Sequence, residues 1–571
     1  MKKANIIRML RLIKEKRAFI AVIVLFSLIS AFLTLMIPVY TGEAIDLIIE
    51  AGNVNFAAIL PLLLKIAIAT AITALMQWCI ALLSNNIALY ASKKLRNKAI
   101  NKLLTVKIGY IDKNPHGELL SKIINDNERF CEGMIMGLTL FISGIFTIIG
   151  TLIFIFSINA YIAIAVVVIT PLSLFVARFI SKRTFKLFTE QSVTLGELSV
   201  QVSETVENFD TVKAFSYEDK AKARFENVNK RLKTAYIKAT FFSSTTNPST
   251  RFVNGLVYLA VAMFGAFFSI SSLISIGQLS AVLSYAYQYT KPFNEISNVF
   301  AELEGAFASF ERVNTIIDEN AEPDGGFLLE DGSGTVEVNN IAFSYTKERP
   351  LIQNLSLSVN SGARVAIVGP TGSGKTTLIN LLMRFYDLDS GSILVDGQNI
   401  AFVTRESLRA QMGMVLQDTW IKNGTVFDNI SYSKPDATEE EIKAAARLAH
   451  ADAFISRLPQ GYKTMISDEM SALSEGERQL ICIARVMLKL PPILILDEAT
   501  SRIDIITEEK IQAAFDTLMQ GRTTFVVAHR LVTIKKSDLI LVMKDGAVIE
   551  QGTHEFLIKQ RGFYYALYNA K

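Results

Sequence analysis

What most constrains this chain is a set of long stretches that carry no charge. None occurs from Ala18 to Tyr40, and the largely apolar run from about Ile59 to Tyr90 is charged only at Lys65, near its start. Between Glu132 and Arg178, and again between Arg251 and Lys291, there is no Asp, Glu, Lys, Arg or His. A hydrocarbon layer of about 30 Å takes roughly 20 apolar residues of helix to cross. Backbone polar groups find no water there, so a spanning segment must satisfy them internally, as a helix does. Each of the two longest stretches holds two passages, hinged at Ser157-Ile158-Asn159-Ala160 and near Ser271–Gly277. The expectation is six spanning helices in three hairpins. A water-soluble helical core is a poor alternative, because four uninterrupted apolar segments would be hard to cover.

Charge orients the hairpins. Segments 1–17, 93–130 and 178–248 are basic, whereas the other connections are short and either uncharged or acidic, with Glu43, Asp46 and Glu50. The excess of Lys and Arg marks the cytosolic side, so the N-terminus, both long loops and everything after residue 300 are cytosolic. Lys65 lies near a span end, where its side chain can snorkel. The two long loops are helical in period, with turn-forming tips near Asn114-Pro115-His116-Gly117 and Ser216-Tyr217-Glu218-Asp219. Such tips could touch a cytosolic domain, or be solvated surface.

A chain of 571 residues exceeds one hydrophobic core. Around residues 318–334 the composition turns polar and glycine-rich, which reads as a linker. It divides an all-α transmembrane domain, residues 1–320, from residues 321–571, where strands alternate with helices in an α/β pattern. Cys79, Cys131 and Cys482 are far apart and read as small buried hydrophobes, not as a disulfide framework or metal site. No removable signal peptide is expected at the N-terminus. The net charge of +4 is small, and the basic residues sit where topology requires them, so no nucleic-acid surface is expected.

The second domain carries Gly369-Pro370-Thr371-Gly372-Ser373-Gly374-Lys375-Thr376-Thr377, after the strand-like Arg364-Val365-Ala366-Ile367-Val368 and before the helix-like Leu378-Ile379-Asn380-Leu381-Leu382. Strand, glycine-rich turn and helix are the context of a phosphate-binding loop. Its N–H groups and helix N-terminus cradle a polyphosphate. Lys375 would reach the β- and γ-phosphates, and Thr376 would ligate Mg²⁺. Further on, Ile493-Leu494-Ile495-Leu496 ends in Asp497-Glu498. Asp497 suits a Mg²⁺ contact, usually through water, and Glu498 a general base for the attacking water. His529, after the apolar Phe525-Val526-Val527-Ala528, could contact the γ-phosphate or simply cap its strand. Gln417, after Gly413-Met414-Val415-Leu416, offers an amide oxygen to Mg²⁺.

With Leu473-Ser474-Glu475-Gly476-Glu477-Arg478-Gln479 and Ser501-Arg502-Ile503-Asp504, these motifs resemble the nucleotide-binding domain of an ABC transporter. The six spans and the single ATP-binding domain together are similar to a half-transporter of the ABC exporter class, over essentially the whole chain. The resemblance implies a dimer driven by ATP and Mg²⁺. Tyr345 would stack on adenine. Each triphosphate would lie between one phosphate loop and the Ser474, Gly476 and Glu477 of the opposite subunit. Closure of the cytosolic domains would switch the spans from inward- to outward-facing, and hydrolysis would reset them. A multi-pass protein of a bacterial-type cytoplasmic membrane follows.

The family's usual signature is Leu-Ser-Gly-Gly-Gln, and here Glu475 and Glu477 replace two of its positions. In heterodimeric exporters one subunit keeps the catalytic glutamate and histidine while its signature drifts. This chain has that combination, so a heterodimer with a second half-transporter is expected ahead of a homodimer. The spans hold little charge beyond Lys65 and Arg251 near their ends, so the expected cargo is amphipathic or lipophilic: a drug, lipid or hydrophobic peptide. Phe141, Phe146, Phe154, Phe264, Phe267, Phe268, Tyr285 and Tyr287 could line its cavity or be ordinary core and lipid-facing aromatics. A nucleotide-gated regulator or channel without pumping activity is the alternative. It would lack the catalytic carboxylate, and Glu498 is present.

Overall fold

The computed structural model describes residues 2–50, 53–330, 332–346, 349–416, 419–467, 473–497, 504–527 and 534–569. It divides into two compact units, Met1–Thr105 with Asn114–Glu319, and Val106–Lys113 with Asn320–Lys571.

The first unit is built on long helices: α1 (Arg17–Asp46), α2 (Phe56–Leu103), then, past α3 (Ile108–Lys113), α4 (His116–Ile123), α5 (Asn125–Met136), α6 (Ile142–Ile158), α7 (Ala160–Glu207), α8 (Glu218–Ile270) and α9 (Ile276–Ile317). Among the described residues four helical stretches are long and apolar enough to cross a membrane: Lys14–Asp46, Phe56–Leu103, His116–Ile158 and Arg251–Ile270. The other two expected passages fall at the start of α7, where Ala160–Ile169 is a shorter apolar helix, and in α9. On α1, Ile23, Ala31 and Leu35 are buried while Leu25, Leu28 and Phe32 are about half exposed. A helix apolar on both faces suits a surface bathed in hydrocarbon.

Local chemistry sets the breaks. Asn159 caps α7, its side-chain oxygen accepting from the Tyr161 N–H at 2.9 Å. Ser275 caps α9 in a reciprocal box with Gln278. At the same end the Asp46 carboxylate accepts from the Ser275 hydroxyl at 2.5 Å and the Gly277 N–H at 2.7 Å. The backbones of α1 and α9 touch at Gly42 and Gly277, where an added Cβ would lie 2.4 Å or less from the opposite carbonyl oxygen. Small residues permit such approach inside a membrane. Tyr285 is fully buried and donates to the Leu35 carbonyl at 2.5 Å. It belongs to the core between helices and is not exposed to cargo, whereas Tyr287 is exposed.

Among the described residues the second unit has two main sheets, besides a short antiparallel pair of Gly424–Thr425 with Met465–Ile466. An antiparallel one orders β2 (Ile352–Val359), β1 (Val336–Phe343), β4 (Ser390–Val395) and β5 (Gln398–Asn399). The larger sheet orders β10 (Ala547–Gly552), β9 (Leu539–Lys544), β3 (Arg364–Val368), β8 (Thr523–Val527), β7 (Ile493–Asp497) and β6 (Met412–Val415), parallel except at β10. Its inner strands are buried on both faces, which explains their unbroken apolar runs. Each fully buried Ile, Val, Leu or Phe contributes about 1.5–3 kcal/mol.

Two segments outside this frame are tied to it. The polar stretch after residue 319 is docked: Arg405, buried, donates to the Pro323 carbonyl and lies 3.3 Å from Glu322 and 2.9 Å from Asp387. The Asp324 carboxylate accepts from the Arg405 N–H at 2.8 Å. The segment Val106–Lys113 packs on the strip after the phosphate loop. Tyr386 donates to Asp112, Lys107 lies 3.5 Å from Asp387, and the Tyr386 ring leaves little room at Gly109.

Candidate functional site

Parallel pairing brings one set of strand ends together. Ile367 of β3 lies opposite Val527 of β8, and Val527 opposite Asp497 of β7. Leu496 in turn faces Val415 of β6. The carboxyl ends of β3, β6, β7 and β8 therefore lie along one edge of the sheet. In open α/β sheets the crevice beyond the carboxyl ends of the strands is where ligands bind.

After Val368 the chain turns into helix α10 (Lys375–Leu382). Gly372 and Gly374 have φ of +81° and +96°, which glycine alone adopts without strain. Gly374 caps α10 without a side-chain bond, so the first N–H groups are left for a ligand. Ser373 is buried and its Oγ has no partner. Lys375 Nζ lies across the loop, donating to the Gly369 and Pro370 carbonyls at 3.0 and 2.9 Å. Pro370, Thr371 and Thr376 are exposed, and Thr377 is buried with its hydroxyl 3.3 Å from that of Tyr345. Tyr345 meets Phe343 and Tyr386 edge-on, with centroids 4.9 and 5.0 Å apart. An uncapped helix, an orphaned hydroxyl and an ammonium lying over the loop fit a polyphosphate, with an aromatic ring beside them.

Asp497 ends β7, half-buried, at the same edge. Gln417, Glu498 and His529 lie outside the described residues, as do Ser501, Arg502 and Ile503. Asp504 caps α12 (Ile505–Met519), accepting from the Thr507 N–H at 2.9 Å. That bond holds its carboxylate below the usual range.

Ser474, Gly476 and Glu477 stand at the start of helix α11 (Glu475–Lys489). Ser474 is its N-cap, and Glu477 completes a reciprocal box. The Glu477 carboxylate accepts from the Ser474 N–H at 2.9 Å and from its hydroxyl at 3.1 Å. Glu475 Oε1 accepts from Thr419 Oγ1 at 2.7 Å. Both unusual glutamates are thus engaged within the unit. Sequence reasoning missed the box, although Ser-x-x-Glu is its written signal. It also missed Thr419, Arg405 and Tyr386, whose partners are remote in sequence and left no local sign.

These features meet in an ABC transporter, and the chain belongs to that family. Residues 20–293 match the ABC transporter transmembrane region and residues 352–501 the ABC transporter family. More particularly, it is an ATP-driven exporter of the half-transporter type, a class that works as dimers. It is 40% identical over 527 residues to a fatty acid ABC transporter ATP-binding/permease protein of Mycobacterium bovis, covering 92% of this chain and 83% of that one. It is 33% identical to the ATP-dependent lipid A-core flippase of Escherichia coli K12, covering 86% and 84%. A solved bacterial Atm1-family ABC exporter with ATP bound superposes with a TM-score of 0.81 at 28% identity, over 97% and 98% of the two chains.

Proposed function

We propose that this chain exports a lipid or similarly lipophilic amphiphile across the cytoplasmic membrane, with its N-terminus and ATP-binding domain in the cytosol. The observation that carries the reading is the pairing, in one chain, of helices apolar on both faces with the uncapped, glycine-built loop before α10. The cargo named for the mycobacterial and E. coli relatives, fatty acid and lipid A-core, supports the lipophilic class. Residues 1–320 form the transmembrane domain and residues 321–571 the ATP-binding domain.

Gly369 to Thr377 hold the triphosphate, with Lys375 on its β- and γ-phosphates and Tyr345 against the base. Thr376, Gln417 and Asp497 would hold Mg²⁺, which supplies charge neutralisation at the phosphates. Thr376 is exposed at the start of α10 and Asp497 ends a strand of the same sheet at the same edge, which suits that donor set. Glu498 takes a proton from the attacking water, with His529 alongside. Ser474, Gly476 and Glu477 meet the triphosphate bound by the other subunit. Swinging the dimer from 1:99 to 99:1 closed requires about 10⁴-fold tighter binding to the closed state, roughly 5.5 kcal/mol. The intact Glu498 and His529 beside an altered signature favour a second, different half-transporter as partner.

The test is ATP turnover by this chain, purified alone in lipid nanodiscs, with Glu498→Gln as control. Wherever the unaltered chain turns over ATP, alone or with a partner subunit, the substitution abolishes that turnover and leaves ATP binding intact. Unchanged hydrolysis would remove the assigned base. Turnover by the unaltered chain alone means a competent homodimer and overturns the preference for a second subunit.

A further inference from the structure

The uncharged run of the first span begins at Ala18, and the largely apolar run of the second ends at Tyr90. Just outside these two points, residues 14–17 and 93–96 hold six cations and one acid, Glu15. Contacts join the two ends. Lys94 Nζ donates to the Glu15 carboxylate at 2.7 Å, and the Tyr90 hydroxyl donates to its other oxygen. The one acid is thus held by α2, with its charge met by Lys94. Lys16 Nζ lies instead over two rings, 4.8 Å from the centroid of Phe19 and 5.3 Å from that of Tyr90. A ring face holds an ammonium without neutralising it, so positive charge is left over at this border.

The corner is shaped as well as charged. Lys93 follows Tyr90 by three positions and Leu89 by four, which sets it beside both on the surface of α2. Phe19 and Leu89 are exposed on the bilayer side of the cations. Lys14–Lys16 form a tight turn between the short helix Lys2–Leu12 and α1. That helix is held in turn by Arg8, 2.5 Å from Asp318, the residue that caps the end of α9. Aromatic rings such as Tyr90 collect at the level of lipid head groups. Clusters of four to eight Lys or Arg just cytosolic of a span attract anionic lipid, by about 1 kcal/mol per residue.

We propose that an anionic phospholipid of the cytosolic leaflet occupies this corner between α1 and α2, its phosphate beside Lys16 and Lys93 and an acyl chain along Phe19 and Leu89. It is a resident lipid and not cargo, so the inference goes beyond the export reading and shares with it only the cytosolic placement of the N-terminus. Long side chains that merely snorkel to water would bring no preference at these two positions, so discrimination between head groups, and between positions, decides the matter.

The probe is phosphatidylglycerol with a diazirine on its acyl chain, compared with phosphatidylcholine carrying the same chain. Each is a minor component of phosphatidylcholine nanodiscs that hold the full-length protein without ATP. Cross-links are located by peptide mass spectrometry. Phosphatidylglycerol labels the peptides around Phe19 and Leu89 about tenfold more than phosphatidylcholine, as one or two surface cations imply. The double variant Lys16→Gln, Lys93→Gln lowers that labelling to the phosphatidylcholine level and leaves phosphatidylcholine labelling unchanged, which also reports an intact fold. The double variant Lys98→Gln, Lys102→Gln removes the same charge further along α2 and keeps the preference. Equal labelling by the two lipids in the unaltered protein overturns the proposal. An equal loss in both double variants does so too, since the attraction is then diffuse. Loss of the preference to glycerol phosphate in solution would make the corner a site for free phosphate and overturn it as well. A nanodisc exposes both leaflets and the preference is read without ATP, so the result stands apart from the topology and from the turnover test of the exporter reading.

Discussion

Gly374 shows how much rests on a single backbone angle. At φ +96° a Cβ meets only ordinary contacts, with Met543 Cε at 3.5 Å, so conformation and not space is the obstacle to a side chain. Gly374→Ala therefore costs about 1–2 kcal/mol of stability, and ATP affinity falls as the first turn of α10 shifts; thermal unfolding with and without ATP reads both. Tyr386 is a second such residue. Tyr386→Phe keeps the ring against Tyr345 and Phe343 but removes the hydrogen bond to Asp112. The expected result is near-normal ATP binding with weaker stimulation of turnover by cargo, and full stimulation would show that the bond carries no coupling. His554 gives a pH dependence. It shares a 2.8 Å hydrogen bond with the Tyr564 hydroxyl, and burial, then Lys535, depresses its pKa. The unfolded chain takes up this proton near pH 6.5, and the folded one only at lower pH. The stability His554 contributes is whole above that value and is lost as pH falls through the lower folded one. His554→Gln should flatten the decline in melting temperature between about pH 6.5 and 5.

Among the elements, helix α11 departs most from what its sequence suggested. Glu477 reads as a loss of polar neutrality beside a triphosphate, yet its carboxylate closes the box on Ser474. Glu477→Gln keeps a capping partner and removes a charge, so stability holds while turnover rises severalfold. Glu477→Ala keeps Ser474 as the N-cap but loses the carboxylate that accepts from the Ser474 N–H, at about 0.5–1.5 kcal/mol. If Gln and Ala destabilise alike, the box contributes nothing. What was legible in the sequence follows the same division between near and far. The phosphate loop lies between a strand and a helix contiguous with it, and the breaks at Asn159 and Ser275 announce themselves through their own caps. The docking of residues 320–325 was not legible, because the atoms that bind them belong to Arg405, some eighty positions on. Nor could periodicity tell buried Tyr285 from exposed Tyr287, since both lie in one apolar run and only neighbouring helices decide which face is covered.

At the scale of the molecule, the chain changes solvent partway along. One unit turns apolar side chains outward, and the other folds a buried parallel sheet around its phosphate loop. The second unit does not begin where its sequence becomes α/β. Arg405 is met by Glu322 and Pro323, and the strip around Tyr386 is covered by Val106–Lys113. A soluble fragment cut at residue 335 leaves that buried guanidinium short of partners, at about 1–3 kcal/mol. One cut at residue 320 keeps them and should melt higher; equal melting temperatures would show the contacts to be idle. Even the longer fragment lacks residues 106–113. A synthetic peptide of that sequence should then behave toward it as a small molecule does toward a receptor, saturably and with a rise in melting temperature. The loop would be a tethered ligand, held at high local concentration by the very membrane helices from which it extends.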